Sequence, residues 1–171
     1  MISGFNNSAK NAIELAQEEV KNFRQNVLGT EHILIGLMLE QEGIAGKVLR
    51  NKINVDDVRE IIKNTTGMGE TMPEYITISP RSKYILELAR QYSSQMGLPY
   101  VGTEHILLGL IDEGDGIGAQ ILKSVISLRE LKLLKQSGRE AAAQVILRVF
   151  WEAPVRRRTT IPKQSINTEQ I

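Results

Sequence analysis

A phrase of nine residues is written twice in this chain, and it limits the fold more than any other feature. Gly29 to Leu37 reads GTEHILIGL, and Gly102 to Leu110 reads GTEHILLGL. The same offset of 73 residues aligns the flanks. NAIELAQ from Asn11 falls on YILELAR from Tyr84, and EQEGIAGKVLR from Glu40 falls on EGDGIGAQILK from Glu113. NVDDVREII from Asn54 falls on SLRELKLLK from Ser127. A unit of about 65–70 residues is long for a solenoid repeat and suits half of a pseudo-symmetric domain. The pattern predicts one body over 1–136, made of repeat one (4–66), a linker (67–76) and repeat two (77–136), with 137–171 as an addition.

Each copy reads as four helices. Ala12, Ile13, Ala16 and Val20 recur at helical spacing and predict a first helix over about 8–23. Its counterpart spans about 80–95, with Ser79 as N-cap and Pro80 at the first helical position, where a missing N–H is harmless. The second helix begins inside the repeated phrase. Thr30 and Thr103 are expected to cap it, and Ile33, Leu34, Leu37 and Met38 to form its buried stripe, matched by Ile106, Leu107, Leu110 and Ile111. A short third helix is expected over 43–50 and 116–123, and a fourth behind an Asn54 or Ser127 cap. Strand signals are almost absent, so the fold class is all-α: two four-helix halves packed as one globular bundle. Glycines and a proline make 67–78 a connecting loop. Beyond Gln136, REAAAQVILRVFWEA reads as an extra helix or an apolar strand, and the polar stretch from Pro154 reads as a flexible tail.

Composition removes several function classes. A formal net charge of +1 offers no concentrated basic surface for nucleic acid. The run Arg156, Arg157 and Arg158 reads as a solvated part of the tail. With no cysteine there is neither disulfide framework nor thiolate chemistry. No GxxxxGK[ST] provides a P-loop, and no GxSxG or nucleophile with a matched base suggests catalysis. The first residues lack the apolar run of a secretory signal, and no stretch approaches the roughly 20 apolar residues that span a bilayer. A soluble binding module without cofactor is expected, in the cytoplasm or a plastid stroma.

The repeated phrase has two readings. Capping accounts for a threonine followed by an acid, since a cap contributes about 0.5–2 kcal/mol and a first-turn carboxylate about 0.3–1 kcal/mol. Alternatively, Glu31 and Glu104 stand at exposed, equivalent helix starts and offer carboxylates to a cationic ligand group, which a guanidinium would take in a bidentate pair. The N–H groups of the same helix start suit an anion. His32 and His105, the only histidines, lack metal-ligand partners at useful spacing and read as packed or capping residues.

The doubled GTEHIL, the AQEE of Ala16 to Glu19 and the EGxGIA-like turn resemble the Clp amino-terminal repeat, the N-domain of Clp/Hsp100 AAA+ unfoldases, with ClpC-type members most similar. The resemblance covers about 4–136. It implies a helical domain that does no chemistry and sits above an ATPase ring. It would receive MecA- or ClpS-type adaptors and protein substrates for a Clp protease. In some members a glutamate of each GTEH pairs with the guanidinium of phosphoarginine, which here implies Glu31 and Glu104 beside Thr30 and Thr103. The phosphate would be met at the start of each first helix, here at Gly4 and Asn6 and at Ile78 and Ser79. Ser79 to Arg81 resembles the family's Thr-Pro-Arg, whereas Gly4 offers no charge and Asn6 no hydroxyl. The apolar segment after repeat two departs from the family's polar linker. It leaves open a piece of an unfoldase or a stand-alone accessory subunit of the ClpT type.

Overall fold

Helices begin where the sequence supplies a cap. Asn6 accepts from the Ala9 N–H at 2.9 Å to start α1 (Asn7–Asn22). Ser79 accepts from the Ser82 N–H at 3.1 Å to start α5 (Pro80–Gln95), and Asn54 accepts from the Asp56 N–H at 2.8 Å to start α4 (Val55–Thr65). Each satisfies a first-turn donor that the helix itself leaves unpaired. The remaining elements are β1 (Val27–Leu28), α2 (Thr30–Leu39), α3 (Ile44–Arg50), β2 (Thr77–Ile78), α6 (Thr103–Glu113) and α7 (Ile117–Val125). The computed structural model describes residues 2–125. The expected fourth helix of repeat two, the apolar segment with Val149 to Trp151, and Arg156 to Arg158 lie outside the described residues.

The sequence pattern predicts a one-sided stripe on the second helix, and the structure corrects it. Thr30 to Met38 are all buried, Ile35 and Gly36 included, as are Thr103 to Ile111 in α6. A helix buried all round belongs at the centre of a body. α1 and α4 flank α2, α5 flanks α6, and α3 and α7 cross over to the opposite half, against α6 and α2. The close approach explains a second glycine in the repeated phrase: a Cβ on Gly36 would collide with the Ala12 carbonyl oxygen, and one on Gly109 with that of Ile85. In repeat one an ion pair between a buried glutamate and a half-exposed arginine ties the outer helices. Glu19, 3% exposed, accepts from Arg59 Nε at 3.1 Å and Nη2 at 2.8 Å.

The loop before α5 also departs from expectation. Thr77–Ile78 pairs in parallel with Val27–Leu28, in the register Val27 to Thr77 and Leu28 to Ile78. A bridge between Phe5 and Val101 is its symmetric counterpart. The Ser79 N–H donates to the Leu28 carbonyl at 3.1 Å, and the Asn6 N–H to that of Val101 at 2.9 Å. So the segment entering each half is hydrogen-bonded to the segment before the central helix of the other half. The halves interlock. A run of two residues carries too little alternation to be read as strand from sequence.

Candidate functional site

The start of α2 is built differently from its sequence reading. Gly29, not Thr30, is the N-cap, and Thr30 is already the first helical residue. The third helical residue, His32, reaches back: its Nδ1 accepts from the Gly29 N–H at 2.9 Å, and His105 Nδ1 accepts from Gly102 at 2.8 Å. An imidazole thus takes the part that glutamate or glutamine plays in a capping box. Because Nδ1 is an acceptor, the proton sits on Nε2. That nitrogen is buried in both histidines with no hydrogen-bond partner. Burial pushes His32 down to about 4, against the pull of Glu19, and lowers His105 as well. Both rings are capping groups, neutral at pH 7.

The threonine hydroxyls cap too, but in the opposite half. Thr30 Oγ1 accepts from the Gly118 N–H of α7 at 3.0 Å, and Thr103 Oγ1 accepts from the Ala45 N–H of α3 at 3.3 Å. Gly43 and Gly116, at the N-termini of those helices, leave the room that this requires, since a Cβ on either would collide with the incoming threonine. The Gly-Thr pair of one repeat and the EGxG turn of the other are therefore a single joint. Local capping by threonine, the sequence expectation, is corrected.

Glu31 and Glu104 are corrected in a different sense. Expected at exposed helix starts, they are 4% and 8% exposed. The reason is the interlock, which brings the opposite half over each helix start. Each carboxylate folds back over its N-cap glycine, where any Cβ would collide with it. Burial holds the Glu31 carboxyl above the ordinary value of 4.5, and its own backbone N–H lowers it by a smaller amount. No lysine or arginine among the described residues pairs with either carboxylate. The nearest basic atoms are His32 Nδ1 at 3.6 Å and His105 Nδ1 at 3.9 Å, and those rings are neutral. A buried carboxylate without a counter-ion is disfavoured by desolvation. Glycine, threonine, histidine and the apolar residues of the phrase each have a structural task, so its glutamate is the member that packing explains least.

Glu31 lines a cleft of about 210 Å³ together with Gln25, Thr30, Thr66, Ser79 and Arg81. Three of the sequence-derived candidates line it together: Thr30 and Glu31 of repeat one meet Ser79, which sequence position grouped with repeat two. The cleft holds a buried carboxylate, the half-buried Arg81 guanidinium and the Ser79 hydroxyl. Arg81 Nη1 bonds Glu113 Oε1 at 2.5 Å and lies 4.0 Å from Asp115 Oδ2. Gln25 is held at the rim by Thr66 Oγ1 at 2.9 Å and the Gly67 carbonyl at 2.7 Å. Sequence reasoning missed Gln25 and Thr66, which have no repeated counterpart to flag them. Asn6 is not in this cleft. Its N–H bonds Val101, one residue before Gly102, which places it near Glu104 and Thr103. No group of three or more His, Asp and Glu side chains among the described residues could hold a metal ion, and no described helix is long and apolar enough to cross a membrane.

Comparison with known proteins agrees with this geometry. The family model "Clp repeat (R) N-terminal domain" matches residues 4–125. The negative regulator of genetic competence ClpC/MecB of Bacillus subtilis is 40% identical over 134 residues, which is 77% of this chain and 16% of that protein. The chain therefore spans about a sixth of that relative's length. Among solved structures, the N-terminal domain of the chaperone ClpD from Arabidopsis thaliana superposes with a TM-score of 0.55 at 23% identity, covering 88% of this chain and 97% of that one. The ClpV N-domain, solved as a complex with a VipB peptide, gives 0.55 at 19% identity over 91% and 92% of the two chains. With two interlocked GTEH halves and a family match over most of its length, this chain belongs to the Clp repeat N-terminal domain family of the Hsp100 chaperones.

Proposed function

We propose that this domain is the receiving module of a ClpC-type unfoldase. It docks adaptors of the MecA or ClpS kind and protein substrates, and passes them to an AAA+ ring and a Clp protease in the cytoplasm or a plastid stroma. The cleft between the repeats accepts phosphoarginine on tagged substrates: Glu31 takes the guanidinium, while Arg81, Ser79 and the N–H groups around Thr30 face the phosphoryl group. Asn6, Thr103 and Glu104 form the related corner in the other half. One observation carries the reading. Glu31 is buried, has no cation of its own and lines the same cleft as an arginine and a hydroxyl. Opposite charges set side by side in a half-enclosed cleft suit a ligand that carries both.

The role of Glu31 also explains why the fold tolerates it. A desolvated titratable group that sits in a cleft and does not serve packing is a candidate functional residue. A ligand guanidinium would supply the missing charge and turn an unfavourable burial into a charge-assisted pair, worth about 1.5–3 kcal/mol per hydrogen bond. Calorimetric titration of the wild type and Glu31→Gln with a phosphoarginine peptide and its unmodified twin tests the reading. Binding of the modified peptide alone, lost in Glu31→Gln, is expected. Equal affinity of wild type and variant would remove Glu31 from the site.

A further inference from the structure

One wall of the Glu31 cleft is made by two stretches of chain that grip each other. The chain leaving α1 turns at Arg24, whose φ of +52° lies in the left-handed region that favours glycine; Gly97 takes the equivalent place in repeat two at +69°. The turn brings Arg24 and Gln25 against the loop after α4. Arg24 Nη1 donates to the Glu70 carbonyl at 3.1 Å, and the Gly69 N–H donates to the Phe23 carbonyl at 2.9 Å. Gln25 Nε2 donates to Thr66 Oγ1 at 2.9 Å and to the Gly67 carbonyl at 2.7 Å. These two partners fix which way round the amide lies. A carbonyl has no proton to give, and the Thr66 hydroxyl directs its own to the Ile62 carbonyl at 3.1 Å. The amide nitrogen must therefore face them, and both of its protons are committed. Among the described residues no donor reaches Gln25 Oε1.

We infer that Gln25 is a specificity residue of this cleft: its amide oxygen accepts an N–H of the ligand's guanidinium beside Glu31, and so favours an arginine-type cation over a lysine-type one. Gln25 lines the same cleft as Glu31. The one side-chain polar atom it has left to offer is an acceptor, for which an ionised phosphoryl group has no proton. The cleft is only about 210 Å³, so a ligand group seated against Glu31 also meets its walls. A guanidinium gives two parallel N–H groups to a carboxylate and keeps others in the same plane. Gln25 Oε1 is a neutral partner for one of these, held in place before the ligand arrives and therefore with little ordering cost. An ammonium presents its three protons from one point and lacks that planar reach. The amide oxygen also orients the ligand, because it repels phosphoryl oxygens while Arg81 attracts them. This rests on the reading of the Glu31 cleft proposed above.

Carbon NMR of the 171-residue chain, titrated with a phosphoarginine peptide, reads the contact directly. The Gln25 Cδ resonance is expected to shift as the cleft fills, because its carbonyl gains a donor. Competition against that peptide then compares phosphoarginine with a phospholysine twin. In wild type the twin is expected to compete about tenfold less well or worse. Gln25→Leu should weaken phosphoarginine about tenfold, the loss of a hydrogen bond to a charged group, and leave phospholysine unchanged, so that the gap narrows. Circular dichroism checks folding, and Gln25→Met, equally long and without an amide, stands in if Gln25→Leu is not folded. A merely structural role for Gln25 would weaken both ligands alike. That result, an unmoved Cδ at saturation, or an undiminished gap in a folded variant would overturn the inference while leaving Glu31 in place. No binding of phosphoarginine by wild type would instead remove the reading of the cleft, and this inference with it.

Discussion

Thr30→Val is the sharpest structural test, because it separates capping within a repeat from capping between repeats. Valine keeps the shape of threonine and removes only the hydroxyl that accepts from the Gly118 N–H at 3.0 Å. The bond is buried, so its loss leaves an orphaned donor at the second residue of α7. A lost cap and an unsatisfied buried N–H each lie in the range of about 1–2 kcal/mol. At about 2.1 cal/mol/K per residue over the roughly 120 described residues, the unfolding entropy is about 0.25 kcal/mol/K. The Tm should therefore fall by about 4–8 °C. Thermal unfolding followed by circular dichroism gives the magnitude, and amide hydrogen exchange gives the location. Faster exchange at Gly118, in repeat two, is expected, with the first turn of α2 little changed. Loss of protection at the start of α2, with Gly118 unaltered, would refute capping across the repeats and restore the local cap. Thr103→Val should do the same at Ala45.

Two further outcomes follow from other residues. His32 is held at about 4 when folded, below its ordinary 6.5, so the unfolded chain binds more protons between those values. Its contribution is therefore present above pH 6.5 and lost as pH falls towards 4, by about 3 kcal/mol in all. Urea melts across that range should show wild type losing this much relative to His32→Gln, whose amide still caps but does not titrate; parallel profiles would contradict it. Gly36→Ala and Gly109→Ala should each cost about 1–3 kcal/mol, because a methyl group pushes α2 from α1 or α6 from α5. Unchanged denaturant midpoints would disprove the close approach.

Much of the architecture is legible from the duplication. Ser79-Pro80 and Asn54 mark helix starts through local chemistry, and the structure places α5 and α4 behind them. The central position of α2 and α6 is not legible. A stripe of Ile33, Leu34, Leu37 and Met38 looks like a surface helix until Ile35 is also found covered. Thr30 is misread for a related reason: a hydroxyl beside a helix start can cap its own helix or another, and only three-dimensional placement decides. The site is half legible. A repeated glutamate draws attention to Glu31, but neither its burial nor its meeting with Ser79 and Arg81 across the repeats is encoded locally. Those depend on hydrogen bonds between Leu28 and Ser79, more than 50 residues apart.

The account rests on Glu31 being a buried carboxylate that waits for a cation. Its side-chain carboxyl carbon can be followed by NMR through a pH titration, free and saturated with phosphoarginine. In the free domain it should titrate above the ordinary 4.5, and ligand should move it down, with affinity rising as pH climbs through the free value. An ordinary or lowered value in the free domain, or no movement on saturation, would contradict the account.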